Sequence, residues 1–410
     1  MTNQHYDALE TRSHDEREAA LMAALADQVA HAKANSEAYA DMLADVDPAS
    51  VTDRMALTKL PVTRKSDLTQ RQSSSPPLGG FNGEPLTEIR RVFSSPGPIF
   101  EPQGKQPDFW HYARALHAAG FRAGDIIQNC FAYHFTPAGF LFDGGAQALG
   151  CTVFPAGTGN TEAQAQALAH LKCSGYAGTP DYLKVILEKA DELGLDSSSM
   201  VKASVSGGAL MPDVKAWYET RGVAVYQNYG TADLGLIAYE TTAREGLVVD
   251  ESVLVEIVRP GTGDPVAEGE VGEVLVTLFN PTYPLIRFAT GDLSAVVPGA
   301  SPCGRTNMRL KGWMGRADQA TKVKGMFVRP EQIAEILKRH DGVSKARLVV
   351  DRGEGTDVMT LKVEAVDTSI GTAVSESLAA IVKLKGQVEV VEPGSLPNDG
   401  KVIDDIRRYD

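Results

Sequence analysis

Five short stretches of this chain combine residue types that can do chemistry together. Residues 92–102 place the hydroxyls of Ser94 and Ser95 beside Gly97. Hydroxyls and exposed backbone N–H groups can cradle phosphate oxygens, and a glycine allows close approach. The same composition also suits a proline-rich surface turn. Residues 227–235 compress Asn228, Tyr229, Gly230, Thr231 and Asp233 into one turn. There an aromatic can stack on a base, Thr231 can bond a phosphate and Asp233 can hold Mg²⁺ directly or through water; a strand end with an Asx-type turn looks alike. Residues 283–293 carry Asp292 in a Thr-Gly-Asp sequence, as a strand delivering a carboxylate at a turn. Its two oxygens can accept both hydroxyls of a ribose, or simply close the turn. Residues 315–318, Gly-Arg-Ala-Asp, followed by Lys322, Lys324 and Gly325, suit a solvated hinge or linker. Near the C-terminus Gly400 exposes Lys401, where most lysines serve only solvation.

The elements that must position these stretches follow from periodicity. Apolar residues recur every three or four positions over residues 18–46, a helical stripe. Residues 60–68 read as a loop running into a capped helix start, and the Ser-, Pro- and Gly-rich residues 73–83 as a surface loop. From 109 to 299, strand-like runs (125–131, 151–154) alternate with helix-like segments (138–149, 161–171), which predicts α/β layers. Residues 253–258 and 272–278 predict a smaller β-rich subdomain. Residues 330–339 and 372–384 read as helices among strands at 346–350, 358–365 and 387–391, a compact α+β lid.

At about 150 residues per domain, 410 residues predict two or three units. A 43% hydrophobic and 23% charged composition is that of a folding globular chain and excludes collagenous, coiled-coil or wholly disordered architectures. The net charge of −13 has the wrong sign for gripping nucleic acid through its phosphates. The four cysteines form no C-x-x-C pair, which fits a reducing compartment. With no leader-like start and no long uncharged apolar run, the expectation is a cytoplasmic protein with no membrane partner.

Taken in order, the five stretches resemble the phenylacetate-CoA ligase branch of the adenylate-forming (acyl-CoA synthetase, AMP-binding) superfamily, over nearly the whole chain. The resemblance implies the adenylate-forming fold. A large N-terminal domain (1–315) of layered α/β subdomains plus a β-rich subdomain would carry a small mobile C-terminal α+β domain (316–410), hinged near Asp318. It implies ATP, Mg²⁺ and coenzyme A acting on a small carboxylic acid, first as an acyl-adenylate and then as a thioester. A homodimer is compatible with it. By the same resemblance Ser94, Ser95 and Gly97 border the phosphates, Tyr229 borders the adenine, and Asn228 and Gly230 belong to the nucleotide site. Thr231 meets the α-phosphate, Asp233 the metal, Asp292 the ribose and Arg316 the nucleotide near the hinge. Ser206, Gly207 and Gly208 form another wall. Lys401 is the expected catalytic residue, and Lys324 and Gly325 border the coenzyme A path. Tyr133, His134, Phe135, Thr179, Tyr182, Ala209 and Gly235 lie near the segments that line the acyl pocket, where aromatics suit an aryl or arylacetic acid and equally suit a core.

The chain departs from the family at its phosphate loop. Relatives usually carry Ser-Ser-Gly-Thr-Thr-Gly-Lys; here Pro96 and Pro98 flank Gly97, which removes two N–H donors, and the lysine is missing. Lys105 is a candidate substitute. Asp233 replaces the usual Glu and reaches one methylene less, a gap a bridging water can fill. The single Cys303 cannot make the metal knuckle some relatives carry. Two alternatives stay open: an adenylating enzyme with an acceptor other than coenzyme A, and a non-catalytic nucleotide or acyl-CoA binding protein.

Overall fold

A computed structural model of the chain describes residues 4–95, 98–317, 321–323, 326–353, 356–397, 399 and 401–407. The chain divides into two compact units. The first comprises Met1–Val255, Val276–Phe288 and Val297–Gly312; the second comprises Glu256–Leu275, Ala289–Val296 and Trp313–Asp410.

The N-terminal helical stripe forms two helices rather than one. His14–Asn35 starts on a capping box between Ser13 and Glu16, and Ser36 then ends it while its side chain caps Glu37–Met42. The predicted surface loop at 73–83 also differs. Its first residues finish the helix Lys65–Ser74, and Leu78 and Phe81 are fully buried, so it packs as part of the core.

Strands β1 (Arg91–Ser95) and β2 (Ile99–Gln103) form an antiparallel hairpin. Strands β3 (Ile126–Asn129), β4 (Thr152–Phe154), β5 (Gly175–Gly178), β6 (Lys202–Val205) and β7 (Ala224–Thr231) are parallel, and β8 (Gly235–Glu240) and β9 (Leu247–Val249) continue antiparallel. Strands β10 (Val253–Val258), β11 (Gly272–Leu278) and β12 (Phe288–Ser294) form a three-stranded sheet in that order. With β13 (Val296–Val297) and β14 (Arg309–Leu310), the large sheet runs β13-β14-β9-β8-β7-β6-β5-β3-β4. Its chain order reverses between β3 and β5, a topological switch point whose carboxyl ends open a crevice.

Both faces of the parallel part are covered. Ile127, Ala177 and Leu236 pack with Tyr112, Leu116, Leu141 and Phe142 from helices Tyr112–Ala118 and Ala138–Ala148. Tyr176, Ala203, Val205 and Val225 pack on the opposite face with Leu168, Leu183, Ile186 and Tyr218. Adjacent residues Tyr176 and Ala177 thus serve different cores, as the two-residue period of a strand demands. The C-terminal part of the second unit is a sheet of order β19-β18-β17-β20, made of β17 (Val343–Gly353), β18 (Thr356–Ala365), β19 (Gln387–Val391) and β20 (Ile403–Asp405). Strands β15 (Thr321–Val323) and β16 (Met326–Val328) form a separate hairpin. Helices Pro330–Lys338 and Gly371–Val382 cover the four-stranded sheet, burying Ile333, Ile336, Val374 and Leu378 on Leu348, Val350, Leu361 and Val363.

Two local features make testable demands on this packing. A Cβ on Gly145 would lie 2.6 Å from the backbone nitrogen of Ala113, so helices Tyr112–Ala118 and Ala138–Ala148 meet backbone to backbone. Gly145→Ala should therefore destabilise by about 1–3 kcal/mol through overpacking, although alanine is the better helix former; a lowered urea midpoint checks this. Asp108 accepts the N–H of Ala113 at 3.0 Å, and burial pushes its carboxyl up from 3.8 to about 7. The folded state then holds this proton more tightly than the unfolded chain does, so the contribution to stability present below pH 4 is lost as pH rises to about 7. Asp108→Asn should flatten that decline in unfolding midpoints measured across the window.

Candidate active site

In the first unit the sequence-predicted residues gather at the carboxyl ends of neighbouring strands. Tyr133, His134 and Phe135 follow β3, Thr179 and Tyr182 follow β5, Ser206 to Ala209 follow β6, and Asn228 to Thr231 end β7. These are the positions where open α/β sheets bind ligands, on both sides of the switch point. Asn228 is buried and ties the strand ends together: its Nδ2 donates to Ser204 Oγ at 3.0 Å and its carbonyl accepts from Ser206 Oγ at 3.1 Å. Gly207, with φ at +72°, and Gly208 are exposed beyond them.

The acyl candidates separate into distinct environments. Tyr133 accepts from Asn129 Nδ2 at 2.8 Å and meets Phe140 edge to face, and Tyr182 donates to the carbonyl of Gly159 at 2.6 Å. Phe135 is 78% exposed and lines an open cleft with Arg91, Ser94 and Phe100, while its carbonyl accepts the N–H of Ser94 at 2.8 Å. The Thr179 carbonyl is held by Tyr176, and Ala209 is exposed. Gly235 is buried, and a Cβ there would sit 2.7 Å from Trp110, so packing accounts for that glycine. A Cβ on Gly230 would lie 2.4 Å from the Gly235 carbonyl oxygen, which keeps the β7–β8 hairpin tight just before Asp233.

Asp233 sits in the turn between β7 and β8, where the Oγ1 of Thr231 accepts from Leu234 N–H at 3.2 Å. Its carboxylate is almost wholly buried. Oδ2 lies 3.2 Å from Lys65 Nζ, and Oδ1 has no hydrogen-bond partner. Sequence reasoning missed Lys65, although it read the segment that delivers it. The N–H of Arg64 donates to Asp67 at 2.8 Å and fixes the helix start. Ahead of it, Thr63 N–H donates to the Arg287 carbonyl at 3.1 Å, and the buried Arg287 guanidinium donates to the carbonyls of Thr58 and Leu60 at 3.0 and 2.7 Å. Arg287 belongs to the third stretch read from the sequence, and its role is to pin the loop that presents Lys65.

The phosphate-loop residues take an unexpected partner. Ser95 Oγ donates to Oε1 of Glu101, across the hairpin, while Oε2 of Glu101 is buried without a partner. Burial, then the nearby Asp233 carboxylate, push the Glu101 carboxyl up to about 8. Lys105, the candidate substitute for the missing loop lysine, instead pairs with Glu88 on the surface at 3.0 Å. The lysine that pairs with Asp233 is Lys65. Gly97 lies outside the described residues, as do Asp318, Lys324 and Gly325.

In the second unit, Asp292 stands inside β12 rather than at a turn and forms a bridge with Arg316. Its Oδ1 accepts from Trp313 Nε1 at 3.1 Å and Arg316 Nη1 at 3.0 Å. Arg316 and Lys401 line one open cleft of about 580 Å³, together with Asp399, Asp404 and Asp405. Lys401 precedes β20, which pairs in parallel with β17 at Ile403 and Leu348. Its half-exposed ammonium rests on Asp404 Oδ1 at 3.0 Å. Among the described residues no group of three or more His, Cys, Asp or Glu could hold a metal. Cys303 is a buried thiol: burial raises it, but hydrogen bonds led by Ser301 and Thr241 bring it down to about 7.

A family model described as AMP-binding enzyme matches residues 111–278, and one described as AMP-binding enzyme C-terminal domain matches residues 325–406. The phenylacetate-coenzyme A ligase of Thermus thermophilus is 32% identical over 78% of this chain and 75% of its own. That of Escherichia coli is 29% identical over 98% of this chain and 97% of its own. A crystal structure of 2-hydroxyisobutyryl-CoA ligase in an open conformation, in complex with 2-HIB-AMP and CoA, has the same fold, with a TM-score of 0.74 at 24% identity over 96% of this chain and 92% of that one. The two matched models, the strand-end constellation and the ordered similarity along the chain lead to one conclusion: it belongs to the phenylacetate-coenzyme A ligase family of AMP-binding enzymes.

Proposed function

We propose that this AMP-forming acid–coenzyme A ligase works on an aryl or arylacetic acid, with Lys401 as the residue that carries the adenylation step. The observation that supports this most directly is that Lys401 lines one cleft with Arg316, whose guanidinium already holds Asp292. In the first half-reaction the acid's carboxylate attacks the α-phosphate of ATP, so two anions must approach. The α-phosphorus gains a bond to the carboxylate oxygen and loses its bond to pyrophosphate. An ammonium touching both partners lowers that barrier selectively in the transition state. Lysine suits this as a compact point charge on a flexible stem.

The resting contact of Lys401 is easily given up. Its pair with Asp404 is 49% exposed on the lysine side, and such surface pairs are worth about 0–1 kcal/mol. Losing one preorganised donor from a transition state typically costs about 3–4 kcal/mol, more than the resting pair with Asp404 is worth. On this reading Asp292 holds the ribose hydroxyls, in exchange for part of its contact with Trp313 and Arg316. Tyr229 lies against the adenine and Thr231 against the α-phosphate. Lys65 supplies a positive charge that the phosphate loop lacks. Asp233 fits Mg²⁺, since one of its buried oxygens is without a partner, and the ion when bound neutralises phosphate charge. The aromatic side chains beyond β3 favour an aryl acid through apolar contact, and the thiol of coenzyme A then displaces AMP from the acyl carbon.

The missing loop lysine is the feature that would favour a non-catalytic binding protein, and the position of Lys65 beside Asp233 supports the catalytic reading against it. Acid-dependent ATP–pyrophosphate exchange across a panel of aryl, arylacetic and aliphatic acids, with mass detection of coenzyme A thioesters, tests the reading. Lys401→Ala should lower exchange about 10²- to 10³-fold while ATP binding persists; exchange at the wild-type rate would remove the assigned role. An adenylate that never becomes a thioester would point to a different acceptor.

A further inference from the structure

We infer that Glu101 is a second carboxylate ligand for the divalent cation held by Asp233, built into the β1–β2 hairpin of this chain. The inference rests on the proposed use of ATP for its setting, but the residues that carry it all lie in the first unit.

The hairpin register dictates where Glu101 points. Phe93 pairs with Glu101 and Ser95 with Ile99, so Phe93, Ser95 and Glu101 project from one face of the ribbon. That face is the inner one: Phe93 is 6% and Glu101 2% exposed. Ser95 orients the carboxylate by donating to Oε1, which leaves Oε2 buried with no donor. Across from it, Lys65 satisfies Oδ2 of Asp233 and leaves Oδ1 buried with no donor. Strand β2 is tied to the helix that begins at Lys65, since Gln72 bonds the carbonyl and N–H of Phe100 at 2.8 and 2.9 Å, so Glu101 and the Lys65–Asp233 pair belong to one packed neighbourhood.

Buried polar atoms are nearly always paired, and an unpaired carboxylate oxygen is among the most costly exceptions. Two such oxygens on neighbouring acids, with Lys65 paired only to Asp233, call for a proton or a cation at oxygen, and a divalent cation can serve both at once. An anion or an apolar group cannot serve either. Mg²⁺ is usually bound by one or two carboxylates together with substrate phosphates, which matches this pair.

The chain's two departures from its relatives then have a common reason. Asp233 reaches one methylene less than the usual Glu, and a second carboxylate from the opposite hairpin makes up the coordination it loses. The hairpin that lacks the loop lysine carries Glu101 six residues beyond Ser95, so the charge the missing lysine would supply to phosphate would come from a cation held by Glu101 and Asp233. Sequence reading passed over Glu101 because a glutamate in a proline-rich turn has no recognisable spacing to Asp233, more than a hundred residues away.

Mn²⁺ suits the same oxygen ligands and reports its own binding through the electron paramagnetic resonance signal of the free ion. It would be titrated into the full chain with and without ATP. Wild-type protein should bind one Mn²⁺ per chain, and Glu101→Gln and Asp233→Asn should each weaken that binding at least tenfold in the better-binding condition. Equal affinity in wild type and Glu101→Gln, or no Mn²⁺ bound by wild type in either condition, overturns the inference. Should circular dichroism show Glu101→Gln unfolded, Glu101→Asp keeps the charge one methylene short; weaker binding by that variant supports the role and wild-type affinity overturns it. Normal Mn²⁺ binding in a protein that exchanges pyrophosphate with no acid would leave the carboxylate pair standing and remove the ligase reading instead.

Discussion

A carboxylate buried in its charged form has to be answered by positive charge, and part of the first unit's arrangement follows from how Asp233 is answered. Lys65 approaches one of its oxygens at 3.2 Å. For that ammonium to arrive, the helix start at Arg64 must be capped, the loop before it must be pinned, and the β7–β8 turn must stay narrow. Each condition has its own residue: Asp67 for the cap, Arg287 and Thr63 for the loop, and Gly230 for the turn. The pair is only partly solvated, so its geometry matters more than that of a surface ion pair. Removing either partner would leave the other charge poorly compensated.

The second unit holds two further charge pairs. Asp292 is answered by Arg316 and Trp313, and Lys401 by Asp404. These contacts are more exposed than the Lys65–Asp233 pair, and exposed charge pairs exchange partners at little cost. On the proposed reading, a site that receives an anionic nucleotide, acts on it and releases it benefits from this looseness. The β20 strand that follows Lys401 is held by β17 and by the buried Ile403, while the Lys401 side chain itself is half-exposed.

Much of the fold was legible along the chain because it is local. The helix at Thr161–Leu171 and the strands at Val253–Val258, Gly272–Leu278 and Gln387–Val391 lie where periodicity places them, since each is defined by which neighbours share a face. Where local pattern misled, tertiary packing was the cause. The stripe over residues 18–46 continues through Ser36, yet the side chain of Ser36 bonds the Gly80 carbonyl and caps a new helix. The polar composition of residues 73–83 suggested solvent, yet Phe81 is buried against Tyr39.

The candidate site divides in the same way. The order of short segments along the chain, read through their resemblance to the family, was enough to nominate Asp233, Asp292, Arg316 and Lys401, although each segment alone also reads as a turn or linker. Which groups meet was beyond the reach of sequence. Lys65 and Glu101 come from segments far from Asp233 in the chain, and their electrostatic coupling exists only once the hairpin, the helix start and the strand-end turn have folded together. Charge interactions depend on distance and burial, and both are properties of the folded chain rather than of any stretch of it.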